Sequence, residues 1–159
     1  MTAADENWQH RVDEVFASDD EDTYIERIDA LAAELPAGDP AGLFERGGAR
    51  DATGDERAAI GFYEKALAAG LDGDRRRQCV IQLASSHRNV GEHERAVALL
   101  TAERERTSDD LDDAVTAFLA LALSSAGRDR EALALTLGAL GGHMTRYRRS
   151  LLHYVAELG

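Results

Sequence analysis

Apolar and small residues recur along this chain at steps of three and four, the spacing that gathers side chains on one face of an α-helix. Trp8, Val12, Val15 and Phe16 form one such stripe, and Tyr24, Ile25, Ile28, Leu31 and Leu35 form a second. The acidic run "SDDED", residues 18–22, lies between them, so residues 1–38 read as a helix pair. Downstream the interruptions become regular. Gly54, Gly91 and Gly127 each follow an apolar helical segment, at intervals of 37 and 36 residues. Asp39-Pro40 is a good helix start, because Asp accepts from free N–H groups and Pro fits the first helical position. The pattern predicts helices over residues 40–53, 55–69, 74–90, 92–107, 110–126 and 128–140, with Gly141-Gly142 as a stop and a last helix over 145–158.

The glycines also align what surrounds them. Seven residues before each stands a small residue: Gly47, Ala84 and Ala120. Five after each stands an alanine: Ala59, Ala96 and Ala132. Larger residues fill other shared positions, with Leu43, Val80 and Thr116 eleven before and Tyr63, Leu100 and Thr136 nine after. Two helices joined by a short turn cross closely, and small side chains at the crossing let the backbones approach. Larger residues such as Tyr63 and Leu67 then fill the space between units. One helix pair cannot bury its apolar face alone, but stacked pairs make a continuous core.

This spacing resembles the tetratricopeptide repeat, W-x₂-L-G-x₂-Y…A-x₃-F…P. The first unit matches as Leu43, Arg46-Gly47, Arg50, Ala59 and Tyr63; the second as Val80, Leu83-Ala84, His87, Ala96 and Leu100; the third as Thr116, Leu119-Ala120, Leu123, Ala132 and Thr136. The units depart from the pattern at Arg46 and Arg50, which stand at apolar positions, at Glu103, which replaces a small residue, and in lacking the terminal proline. The long units are similar to a bacterial subgroup of the family. The resemblance implies an all-α, right-handed α-solenoid of antiparallel helix pairs, binding of proteins, and possible dimerisation. Three repeats are expected at 39–72, 73–108 and 109–142, after a degenerate N-terminal pair at 1–38 and before a C-terminal capping helix at 143–159, in one domain overall.

Composition narrows the function. The formal net charge is −12 and the sequence pI about 4.8. Such a surface repels phosphate backbones and anionic membranes, so neither nucleic acid nor membrane is an expected partner. Lys65 is the only lysine. No stretch approaches the roughly 18 apolar residues of a membrane-spanning helix. The N-terminal "MTAADENWQH" is acidic and polar, unlike a signal peptide, and the cytoplasm is the expected compartment.

Enzymatic signals are missing. His93-Glu94 lacks the second histidine of a zinc-binding H-E-x-x-H, the acidic run lacks the spaced ligands of a calcium loop, and no P-loop or G-x-S-x-G occurs. Cys79, the single cysteine, allows no internal disulfide and reads as a small buried hydrophobe. The expectation is a non-catalytic protein without cofactor or metal. A small enzyme or metal-binding protein that uses a histidine is the weakest alternative.

The leading expectation is a peptide groove on the first helices of the pairs, which line the concave side of such stacks. Its candidates are Phe44, Asp51, Gln78, Gln82, Ser85, Arg88, Asn89, Phe118, Leu121 and His153. Chaperone-binding members of the family hold a C-terminal carboxylate in a clamp of Lys, Arg and Asn. Gly48 stands at one expected Asn, and no lysine is available for the clamp. The alternative is a homodimerising module that buries Leu151, Leu152, Tyr154 and Val155. "MTRYRRS", residues 144–150, is the one local basic cluster, suited to an acidic partner or the acidic face of a second copy.

Overall fold

The computed structural model describes residues 3–106 and 108–158. The expected helix end at Thr107 and the outer segment ends at Met1 and Gly159 lie outside the described residues. Described residues are helical or in turns, with no strand among them. They form α1 (Ala3–Phe16), a short 3₁₀ turn (Glu21–Thr23), α2 (Tyr24–Ala32), α3 (Pro40–Ala52), α4 (Glu56–Ala68) and α5 (Gly73–Asn89). Then follow α6 (His93–Arg106), α7 (Asp112–Ser125), α8 (Asp129–His143) and α9 (Arg148–Ala156). The chain separates into two compact units, residues 1–79 and 80–159, with the boundary inside α5.

In the first unit, Trp8, Val12 and Val15 of α1 meet Tyr24 and Ile28 of α2 and Ala49 of α3 in one buried cluster. Trp8 is held by its indole Nε1, which donates to the Leu31 carbonyl at 2.9 Å. Leu35 was expected to continue the α2 stripe but lies beyond the helix end. Pro36 explains this, because the residue before a proline is pushed out of the α region. Leu35 still packs on the same cluster from the connecting loop.

Helix α3 begins as its sequence demands: the Asp39 carboxylate accepts from the Ala41 and Gly42 N–H groups at 2.9 and 3.2 Å. Gly54 then turns the chain with φ +81°, a left-handed conformation that glycine adopts without strain. Asp55 caps α4 through the Ala58 N–H. Where α3 and α4 cross, Tyr63 of α4 is fully buried over Gly47. A Cβ built at Gly47 would sit 2.5 and 2.6 Å from two Tyr63 ring carbons. Ala59 and Ala66 flank the crossing with no exposed surface.

The second unit repeats the arrangement with aliphatic filling. Its core joins Ile81 and Ala84 of α5, Ala96, Val97 and Leu100 of α6, Val115, Leu119, Ala120 and Leu123 of α7, and Ala132 of α8. Gly91 and Gly127 make the two turns at φ +87° and +77°. His87, 1% exposed, fastens the first of them: its Nδ1 donates to Glu92 Oε2 at 2.7 Å, while the Glu92 N–H donates to the His87 carbonyl.

The expected stop at Gly141-Gly142 is corrected, since α8 continues through both glycines to His143. Gly141 acts through packing. It is buried, and an added Cβ would lie 3.1 Å from Leu152 Cδ2 and 3.6 Å from Leu151 Cδ2 of α9. The bare backbone is the seat on which α9 rests.

Gly47→Ala is expected to destabilise the chain by about 1–3 kcal/mol, the cost of overpacking a filled core. Urea unfolding followed by circular dichroism reads this, and pairing it with Tyr63→Leu should recover part of the loss.

Candidate functional site

In the second unit, α5 and α7 carry polar and apolar side chains at three- and four-residue steps beside the buried core. Gln82 and Ser85 of α5 are half-buried, and Asn89 at its end is exposed. Arg88 is half-buried, and its Nη1 donates to Ser125 Oγ of α7 at a long 3.4 Å. Its Nε is buried without a hydrogen-bond partner. No carboxylate pairs with Arg88 among the described residues, so it holds unspent donors in a partly desolvated position. On α7, Phe118 is half-buried against the core edge, and Leu121 is 49% exposed, a large fraction for a leucine on a packed helix. Phe118, Leu121 and Ser125 follow the three- and four-residue steps of one helix face. Ser125 also lines an open concavity of about 470 Å³ beside the Gly91–Arg95 turn.

Other expected groove residues have different surroundings. Phe44 is corrected: it belongs to the core, 5% exposed, with its ring centre 6.1 Å from that of Tyr63, and is closed to a ligand. Asp51 is half-buried and accepts from the Tyr63 hydroxyl at 3.4 Å. Gln78 is exposed in the part of α5 that belongs to the first unit. His153 is exposed on α9, with Nε2 3.7 Å from Glu157. Among the residues considered for self-association, Leu151 and Val155 are half-buried, Leu152 is 38% exposed and Tyr154 is 62% exposed.

Cys79 is fully buried, and its Sγ lies 3.7 Å from the Tyr63 carbonyl. Burial pushes its thiol up to about 12, so at neutral pH it is not a thiolate nucleophile. Among the described residues, no group of three or more His, Cys, Asp or Glu side chains is placed to hold a metal ion. Among the same residues, no helix is long and apolar enough to cross a membrane.

A profile of the tetratrico peptide repeat family matches residues 40–158. The chain belongs to the tetratricopeptide-repeat family. No curated protein matches it. Tetratricopeptide repeats mediate protein–protein interaction and scaffolding, bind proteins or peptides, and form a fold that is typically non-catalytic. In tetratricopeptide terms, Gly47 and Tyr63 occupy the small position of the first helix and the aromatic position of the second, and here they touch.

The two arginines at apolar positions of the tetratricopeptide pattern make a separate cluster in the first unit. Arg50 grips Asp29 of α2 with both terminal nitrogens, at 2.9 and 2.8 Å, and Arg46 adds its Nε at 2.8 Å. The Arg50 hydrogen bonds, and after them the one from Arg46, hold the Asp29 carboxyl below its usual range. Both guanidinium carbons lie 4.6 Å from the centre of the Phe62 ring. The sequence pattern does not single out Phe62, because its neighbour Tyr63 takes the aromatic position. The four-residue spacing of Arg46 and Arg50 is the signal in the sequence that could have pointed to this cluster.

Glu45 is another residue that the sequence pattern does not single out. It is 7% exposed on α3, facing Arg75 of α5 and Gln9 and Asp13 of α1. Arg75 donates to the Gln9 side-chain oxygen, and the Gln9 amide donates to Asp13 at 2.8 Å. Burial outweighs the Arg75 charge and raises the Glu45 carboxyl to about 7. A carboxyl whose folded-state value is raised keeps its proton in the native state while the unfolded chain has lost it. Its contribution is therefore full below the unfolded value and declines as pH rises to about 7. Glu45→Gln should be more stable than wild type at pH 8, by on the order of 2–3 kcal/mol, with the gap closing below about pH 5. Urea melts at both pH values check this; a gap independent of pH would assign the burden to another group.

Proposed function

We propose that this chain is a non-catalytic scaffold that binds an extended segment of a partner protein on the α5–α7 face of its second unit. The observation that carries the reading is Arg88, whose buried Nε has no partner and whose contact with Ser125 is long. A partly desolvated guanidinium without a carboxylate favours a carbonyl or carboxylate acceptor supplied from outside. Gln82, Ser85 and Asn89 add donors and acceptors along the same helix, and Phe118 with Leu121 offers an apolar seat beside them. The ligand that fits is a short peptide with an acceptor group at Arg88 and an apolar side chain at Leu121. In this reading residues 39–72, 73–108 and 109–142 are three repeats, 1–38 a degenerate first pair and 143–159 a cap.

A second reading is favoured by a specific surface. Leu133 and Leu140 of α8 are 48% and 52% exposed, and Leu152 and Tyr154 of α9 add to them. Such a patch invites burial against a second copy. Light scattering at tens of micromolar (roughly where modest homodimers assemble) should give twice the monomer mass, reverting to the monomer in Leu152→Arg; a monomeric wild type rejects this reading.

For the groove, peptides selected from a random library on wild type should bind Arg88→Glu and Leu121→Ser about tenfold or more weakly, as expected for losing a charged hydrogen bond or an apolar anchor. Fluorescence anisotropy measures the affinities, and thermal melts verify folding. Equal binding by folded variants rejects the groove.

A further inference from the structure

The cations gathered around Phe62 are not explained by packing alone. Arg46 and Arg50 each lie 4.6 Å from the ring centre, and Lys65 Nζ of the next helical turn lies 5.6 Å from the same centre. Among the described residues, Asp29 is the one carboxylate bonded to this group, through both arginines. Three cations against one carboxylate leave a local surplus of two positive charges, on a chain whose formal net charge is −12. Arg50, with its side chain 12% exposed, spends its donors on Asp29 and on the Arg46 carbonyl. Arg46 differs. Its side chain is 36% exposed, and only Nε is engaged with Asp29, so both terminal amino groups are without a partner among the described residues. Lys65, the only lysine, is exposed and has no acidic partner among them.

Asp29 and Arg50 alone suffice to tie α2 to α3 by a two-pronged ion pair. Placing Arg46 and Lys65 beside them adds like-charge repulsion, which the ring face offsets only in part. The surplus is useful if an anion arrives from outside. Arg46 and Asp29 also line a concavity of about 520 Å³ with Ala32, Ala33, Gly42 and Leu43, which gives neighbouring residues of a ligand somewhere to lie.

We propose that Arg46, Lys65 and the Phe62 ring form a second recognition site, distinct from the α5–α7 face, for an acidic segment of a partner protein. The overall charge selects this class of anion. A long polyanion such as nucleic acid, or an anionic membrane, meets the negative field of the whole surface. A short run of Asp or Glu side chains engages the local cluster alone, within a Debye length of about 8 Å at physiological salt. Arg46 supplies the planar fork that matches a carboxylate, Lys65 a mobile point charge, and Phe62 an apolar face for the side-chain methylenes.

The test is anisotropy of a fluorescein-labelled hexaglutamate peptide titrated with the full chain. Wild type should bind at low salt and release at high salt. Arg46→Gln and Lys65→Gln should each weaken binding about tenfold, as expected for removing a charged hydrogen bond. Both leave the Arg50–Asp29 pair in place, so thermal melts should stay near wild type, and Arg88→Glu should bind as wild type does. Absence of low-salt binding by wild type overturns the proposal, as does undiminished binding by either folded variant. It is also overturned if a single-stranded DNA of equal charge binds more tightly than the peptide, or if only Arg88→Glu loses binding.

Discussion

How closely two helices approach at their crossing governs everything else in this chain. Where α3 meets α4, Gly47 has no side chain and the Tyr63 ring fills the space its Cβ would need. In the second unit Ala84, Ala96, Ala120 and Ala132 do the same work with methyl groups, all buried. Tight crossings force short turns, and the turns are made by glycines at positive φ. The α8–α9 contact follows the same rule, since Leu151 and Leu152 sit on the bare backbone of Gly141.

The packed helices also enclose polar side chains, and a buried polar group is costly unless it is hydrogen-bonded or paired. Glu45, Arg77, His87 and Glu103 are all nearly inaccessible. Glu45 is the most informative of them, because desolvation exceeds the influence of Arg75 and leaves the carboxyl titrating near neutrality. Asp29 is the opposite case: two arginines hold it ionised at the surface. The difference is one of partners and water, since both carboxylates lie on helices of the same unit.

The two proposed recognition sites differ in the kind of arginine they would use. Arg88 is poor in partners and rich in buried surface, which suits a directional acceptor near apolar Phe118 and Leu121. Arg46 is well placed on an aromatic ring and over-supplied with positive neighbours, which suits a charged ligand. One scaffold carrying both would read two features of a partner, an apolar-plus-acceptor segment and an acidic one.

Helix number, the turn glycines, the Asp39 and Asp55 caps and the small crossing positions were all legible in the residues, because each is a local preference or a periodicity that survives without tertiary context. The family followed from the same spacing. Tertiary structure alone decided that Gly141 is a seat for α9 and that the Gly141-Gly142 pair is not a stop, since a glycine in a helix reads as a break until something is seen to pack on it. It also decided that Phe44 faces the core, because one helix has two apolar flanks and only neighbouring helices show which is covered. Arg46 and Arg50 look like defects in the repeat until Asp29 and Phe62 are brought beside them from other helices, because the energy of a charge depends on its surroundings more than on its place in the sequence.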